Sequence, residues 1–240
     1  MAKVSVVIPA RNEEEMLPRC LAALRCQSLS DFELIVIDSA STDRTGEVAR
    51  DFGARVVRVE EPGVARARQA GFEVAQGEII VSTDADAIPS SDWLERLVAP
   101  FCDPGVVGTF GTLHFTRGGL LAEVGHALFS VFQRANYHIG RPLFCGPNFA
   151  VSKGAFHAVD GFKRADGYPG EAEDVRLALK IRERGKIVFL HDLPMVVSVR
   201  NLEKGRALRY TIHHIGVYLK VCWLERLTRK KGILSQGFYK

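Results

Sequence analysis

The chain has 240 residues, 47% of them hydrophobic and 25% charged. That is the balance of a soluble globular protein with a core that needs no covalent staples, in one domain or one domain with an appendage. The net charge of +4 is uneven: Arg200–Lys240 holds ten Lys/Arg against two Asp/Glu, so a basic tail follows a mildly acidic body.

In chain order, Val4–Ile8 reads as a buried strand ended by Pro9. Starting so early, it argues against a signal peptide. Glu13–Cys26 reads as a helix that Pro18 fits poorly. Phe32–Ile37 is a second strand, Thr42–Asp51 a short helix stopped by Gly53, and Arg55–Val59 a third strand. Gly63–Ala75 is a helix of small residues stopped by Gly77, and Ile79–Ser82 a fourth strand. Strands alternating with helices predict βαβ units and a parallel sheet.

The second half is less regular. Val106–Phe115 reads as a strand pair or one long strand and Gly119–Tyr137 as a helix. Asn148–Ser152 is a short strand, with a helix near Gly154–Val159. Ala172–Arg184 is amphipathic, Ile187–Leu190 and Met195–Val199 are strands, and Gly205–Arg229 is a last long helix. No apolar run approaches the ~18 residues of a membrane span. Cys20, Cys26, Cys102, Cys145 and Cys222 form no C-x-x-C pair, which argues against a disulfide framework and for a reducing cytosol.

Asp84-Ala85-Asp86 carries the most chemistry. Two carboxylates at the end of a buried strand need a partner. A hard divalent cation shared with a diphosphate is the natural one, because Mg²⁺ binds through one or two carboxylates plus phosphate oxygens. Open α/β sheets also hold ligands at the carboxyl ends of their strands. Asp38 ends the second strand and is placed to accept from a base N–H or a ribose hydroxyl, whereas Asp43 reads as a plain cap. Of Arg66 and Arg68, one belongs to a solvated face and Arg68 is favoured as the ligand residue. Glu173 and Asp174 open a helix. The macrodipole explains acidic residues there, and a general base is the competing role. His191 follows a strand and would complete a metal shell with Asp86 only against the commoner reading of a surface histidine; His213 and His214 have no zinc-site spacing.

The ordered set Val4–Glu13, Leu34–Asp38 with Ser41-Thr42-Asp43, Ala67-Arg68 with Gly71, Gly77–Ile80, Asp84-Ala85-Asp86, Gly146–Ala150, Gly161-Phe162 and Glu173-Asp174 resembles the inverting glycosyltransferases of family 2. The resemblance covers roughly residues 3–200. It implies an α/β fold of GT-A type: a Rossmann-like, open, mainly parallel sheet with helices on both faces, here followed by a basic amphipathic helix over 201–240. It implies a nucleoside-diphosphate sugar as donor, with Pro9, Ala10, Arg11, Asn12, Glu13 and Asp38 around the nucleoside and Arg68 nearby. Asp84 would lie near ribose or metal, and Asp86 would ligate Mn²⁺ or Mg²⁺. Asp174 would be the base with Glu173 beside it, and Gly146, Pro147 and Asn148 would line the acceptor side.

The chain departs from the family's processive synthases. Their QxxRW is replaced by Arg206-Ala207-Leu208-Arg209-Tyr210, where Arg206 and Arg209, with Arg200, are candidate diphosphate contacts. Their membrane helices are missing too, so a single-addition transferase is expected. In the tail, Leu208, Ile212, Ile215, Leu219, Trp223 and Leu227 recur at helical spacing between basic flanks. Such a helix suits either an anionic membrane surface or a protein face. The expected acceptor is a sugar hydroxyl or a lipid phosphate. The expected location is cytoplasmic, with the inner face of the cell membrane as the peripheral option; a homodimer stays open and no nucleic acid is expected. Two alternatives compete. A nucleotidyltransferase would need a glycine-rich phosphate loop that Pro9-Ala10-Arg11-Asn12 does not supply. A degenerate, non-catalytic scaffold would not need to retain both acidic pairs.

Overall fold

The computed structural model describes residues 3–116, 119–162, 172–198, 212 and 215–221. Four parallel strands build its first half: β1 (Val4–Ala10), β2 (Phe32–Ser39), β3 (Arg55–Val59) and β4 (Ile79–Ser82). β1 lies between β2 and β4, with Val4 opposite Phe32 and Ile79. Helices α1 (Leu17–Arg25), α2 (Thr45–Asp51) and α3 (Val64–Val74) connect them. All four strands are rich in β-branched residues and β1 and β4 are almost wholly buried, as strands covered on both faces should be.

The second half makes the sheet mixed rather than simply parallel. Its order is β3-β2-β1-β4-β7-β6-β8-β5. β7 (Phe149–Ser152) runs antiparallel between β4 and β6 (Val106–Thr116). β8 (Lys186–Ser198) returns parallel to β6, and the two-residue β5 (Ala87–Ile88) caps its edge antiparallel. The remaining helices are α4 (Trp93–Val98, continued by a 3-10 turn at Ala99–Cys102), α5 (Gly119–His138), α6 (Lys153–His157) and α7 (Glu173–Ile181).

Each sheet face buries its own cluster. On one, Leu17, Leu21 and Leu24 of α1 meet Trp93, Leu94 and Leu97 of α4. On the other, Phe72, Phe110, Phe144, Phe149 and Phe156 pack together, with the Phe72 and Phe156 rings 4.9 Å apart. Each such side chain contributes roughly 1.5–3 kcal/mol by leaving water.

Several boundaries differ from the sequence expectation for physical reasons. α1 starts at Leu17, so Pro18 sits in the first turn, where its missing N–H costs nothing. α2 starts at Thr45, because Ser41, Thr42 and Asp43 are spent bonding Asn12 and Glu14 in the loop after β1. β6 is a single strand. β8 is one strand rather than two, since a register shift between Gly111 and Thr112 accommodates His191–Leu193 as a bulge. α7 cannot begin before Glu173, because Ala172 is left-handed at φ 59. α4 and β5 were not foreseen. The proposed boundary near 200, and most of the expected helix over Gly205–Arg229, lie outside the described residues. The described part, Ile215–Val221, is helical and docks on α5: buried Tyr218 donates to Asn136 Oδ1 at 2.8 Å.

Candidate active site

The carboxyl ends of β1, β2 and β4 lie side by side, and the loops leaving them are tied to one another. Ala10 stands opposite Asp38 across the β1–β2 ladder. Beyond it Asn12 turns left-handed at φ 54, a conformation asparagine tolerates. Asn12 N–H donates to Ser41 Oγ, and its Oδ1 accepts from Thr42 N–H at 2.8 Å. Glu13 N–H donates to Thr45 Oγ1, also at 2.8 Å. Asp43 accepts from the N–H groups of Thr45 and Glu14, a loop-tying role; the N-cap position of α2 is Arg44, so Asp43 is not the cap that the sequence suggested. Burial pushes its carboxyl up, but the Thr45 hydroxyl, which also donates to it, and then these N–H bonds prevail and lower its pKa.

Asp38 is buried and already partnered. Its Oδ1 accepts from Ser41 N–H at 3.0 Å, and its Oδ2 pairs with Arg58 Nη1 at 2.9 Å. Gly46 lets α2 approach, since a Cβ there would lie 3.1 Å from Asp38 Oδ2. Arg58 was missed in the sequence. An arginine directly opposite Asp38 in the β2–β3 register is the signal that would have found it.

β4 runs on past Ser82 as Thr83 N–H donates to Val7 O. Asp84 O then accepts from Ala87 N–H at 3.1 Å, so the two aspartates occupy a tight turn between β4 and β5. Both side chains are half-buried. The buried Cys20 thiol on α1 donates to Asp84 O from beneath. Burial, then the charges of Asp84 and Asp86, raise the Cys20 pKa, so it stays a thiol.

Arg68 joins this turn to α7. It is buried on α3, whose small residues allow close packing: a Cβ on Gly71 would lie 3.0 Å from Ile37 Cγ1. Arg68 Nη2 pairs with Asp84 Oδ1 at 2.6 Å, and Nη1 pairs with Glu173 Oε1. Burial alone would lower the Arg68 pKa, but Asp84, Glu173 and Asp174 together raise it, so the guanidinium stays charged. Its Nε is buried without a hydrogen-bond partner. Arg66, two residues earlier, is exposed and pairs with Glu61, the solvated arginine expected of the two.

Glu173 is thus engaged, and Asp174 differs from it. Asp174 Oδ1 accepts from Val175 N–H at 2.8 Å, and Gly146 N–H also donates to the carboxylate. Loss of solvent, then the Glu173 charge, raise Asp174 to about 7, against the pull of Arg68 and the two N–H bonds. A carboxyl titrating there is suited to taking a proton at neutral pH.

Gly146 is the floor of this arrangement. Its carbonyl accepts from Ser82 Oγ at 2.8 Å, and a Cβ would lie 2.8 Å from Arg68 Cζ. Pro147 is buried beside it. Asn148 turns inward: Nδ2 donates to Thr112 O and Leu193 O, and Oδ1 accepts from Trp93 Nε1. Its side chain is a brace behind the acceptor-side loop rather than a contact on its surface. His191 lies exposed in the β8 bulge beside Asp192, which pairs with Arg96. Among the described residues no three His, Cys, Asp or Glu side chains cluster as metal ligands. Arg200, Arg206, Arg209, His213, His214 and the loop 166–170 lie outside the described residues.

The model of the family described as glycosyl transferase family 2 matches residues 5–159, more than half of the chain. The chain belongs to this family. Among curated relatives, the glycosyltransferase AglE of Haloferax volcanii is 37% identical over 130 residues, 50% of this chain and 43% of that protein. The 4,4'-diaponeurosporenoate glycosyltransferase of Staphylococcus haemolyticus is 29% identical over 181 residues, 68% of this chain and 47% of that protein. The chain therefore spans less than half the length of either. Among solved structures, glucosyl-3-phosphoglycerate synthase of Mycobacterium tuberculosis, in complex with Mn²⁺, UDP-glucose and phosphoglyceric acid, superposes with a TM-score of 0.65 at 26% identity. That match covers 92% of this chain and 80% of the other. A mannosyltransferase of Pyrobaculum calidifontis, in complex with GDP-mannose and Mn²⁺, gives 0.61 at 26%, covering 81% and 56%. The fold expected from the sequence is thereby established, as a mixed sheet of GT-A type.

Proposed function

We propose that the chain is an inverting glycosyltransferase that moves a sugar from a nucleoside-diphosphate donor to an acceptor hydroxyl or lipid phosphate. One observation carries the reading most. A single buried guanidinium holds Asp84, at the strand end where a donor would sit, against Glu173, at the start of the helix that supplies the base. Solved relatives in complex with nucleotide sugars and Mn²⁺ support the donor class.

The donor set suits a hard divalent cation, Mn²⁺ or Mg²⁺. Asp84 and Asp86 are two carboxylates without a thiolate or imidazole ligand, and such an ion completes its shell with diphosphate oxygens and water. When bound, the ion would neutralise charge developing on the leaving diphosphate. The protein does the rest. The end of β1 with its following loop, Pro9–Glu13, and Asp38 at the end of β2 form a rigid seat for the nucleoside. Arg68 fixes Asp84 and Glu173 relative to each other instead of reaching for the nucleotide. Asp174 accepts the acceptor's proton as its oxygen attacks the anomeric carbon from the face opposite the leaving diphosphate. One displacement of this kind inverts the centre and needs no covalent intermediate.

The basic C-terminal segment supplies the membrane clause of this reading: contact with an anionic surface on the cytoplasmic side, where a lipid-phosphate acceptor would be found. Among the described residues no helix is long and apolar enough to cross a membrane. The test is thermal shift against nucleoside diphosphates and their sugars, with Mn²⁺, Mg²⁺ or chelator, followed by NMR of the product anomer. Metal-dependent stabilisation by one nucleotide and an inverted product are expected. No shift with any pair would sink the reading and leave a non-catalytic scaffold, and a retained anomer would remove the single displacement.

A further inference from the structure

α5 buries Phe129 in the core yet also exposes an apolar strip to water. Val124, Leu128 and Val131 recur at i, i+4, i+7 on its outer face, Leu128 53% and Val131 67% exposed, and exposed Ala127 and Ala135 extend the strip. Two polar residues point inward, while Glu123, Arg134 and His138 are exposed. Buried Gln133 donates to Leu143 O and Cys145 Sγ, and Asn136 is held between Phe132 O and the Tyr218 hydroxyl. Glu123 and Arg134 are the helix's only Asp, Glu, Lys or Arg residues. An ordinary surface helix turns polar residues outward along its whole outer face, so this apolar strip is suited to being covered.

What covers it is indicated by charge. Tyr218 seats Ile215–Val221 on α5, its ring 5.2 Å from that of Phe132, leaving Leu219 and Lys220 exposed. Leu219 of this segment and Ile212 ahead of it, 54% and 61% exposed, are further uncovered apolar side chains. In the sequence this segment belongs to the basic stretch Arg200–Lys240, ten Lys/Arg against two Asp/Glu. A second copy would bring a second stretch of the same sign of charge, and like charges repel. An anionic bilayer offers the complement to both features: hydrocarbon for Leu128 and Val131, headgroup charge for the lysines and arginines.

We infer that the outer face of α5, with Leu219, lies in the interface of an anionic membrane. The inference rests on the membrane clause of the proposed function and names the surface that clause lacked. It also assigns α5 the insertion that the sequence pattern gave to the tail helix alone.

The test is co-sedimentation of the 240-residue chain with phosphatidylcholine vesicles, with and without phosphatidylglycerol. The parent chain is expected to bind only the anionic vesicles, less so as salt rises. Leu128→Glu with Val131→Glu should weaken binding about tenfold or more. Both positions are exposed, so circular-dichroism melts should be unchanged. If only Lys230→Gln with Lys231→Gln weakens binding, the α5 surface is overturned while the membrane clause stands. If nothing binds any vesicle, both fall, and nucleotide thermal shift still scores the transferase reading separately. A light-scattering mass twice the 26.5 kDa chain, halved by Leu128→Glu with Val131→Glu, would assign the face to a second copy and overturn the proposal.

Discussion

Asp174 and Glu173 are neighbours with different tasks, and their partners decide which is which. Glu173 is tied to a guanidinium; Asp174 accepts only backbone N–H groups in its described hydrogen bonds. We expect Asp174→Asn to lower transfer about 10²–10⁴-fold, the usual worth of a general base, with donor affinity unchanged in a titration calorimeter. Donor turnover should rise with pH through about 7, because the base must be ionised. Stability should move the other way. Between roughly 4, where an unfolded aspartate titrates, and 7 the folded chain holds a proton that the unfolded chain has lost. Rising pH therefore costs the metal-free protein stability, and the loss is complete above 7. Asp174→Asn should flatten that slope in urea titrations across the range. Arg68→Met would strand two carboxylates and should cost about 3 kcal/mol, the low end for a buried pair because Asp84 keeps solvent contact.

Elements were legible where one period and one burial pattern ran through them. Arg55–Val59 and Ile79–Ser82 match their expected bounds, and α3 does to within a residue at each end, because small residues and flanking glycines mark it. α4 was overlooked although Ser90-Ser91-Asp92 precedes Trp93, Leu94 and Leu97 at helical spacing; six residues are too few for periodicity to stand out. β5 is defined only by its partner β8, so nothing local announces it. The brace between these pieces is equally non-local: Asn148 joins β6, the β8 bulge and α4. Asn148→Ala should leave Trp93 Nε1 and two carbonyls unpaired and destabilise the fold by on the order of 3 kcal/mol in urea unfolding. Wild-type donor affinity in that variant would support a bracing role, whereas selective loss of acceptor turnover would restore a surface one.

At the scale of the molecule, the two halves of the site come from two kinds of chain. The donor side is assembled from consecutive βαβ units, so its residues sit at strand ends that a sequence pattern locates. The base side depends on α7 being packed against β6 and α6, where Glu173 meets Arg68, and no local pattern encodes that packing. The motif residues could therefore be named from sequence, but the Arg68 bridge between them could not. Metal dependence follows at this scale too. With Arg68 as the cation between Asp84 and Glu173, a bare diphosphate meets a site that also carries Asp86. Chelator should then abolish nucleotide binding in calorimetry and leave the melting temperature of the ligand-free protein unchanged; a lowered melting temperature would mean that the ion also holds the fold together.

Gly146 has a hereditary consequence. A methyl group at its Cα would lie 2.8 Å from Arg68 Cζ and 3.0 Å from Nη1, and Arg68 is buried with nowhere to retreat. The two positions should therefore vary as a pair among relatives. A lineage that keeps arginine at 68 is confined to glycine at 146, and one that gains alanine there has first given up the arginine or moved it. Tabulating those two columns across the family would test the bridge without making any protein.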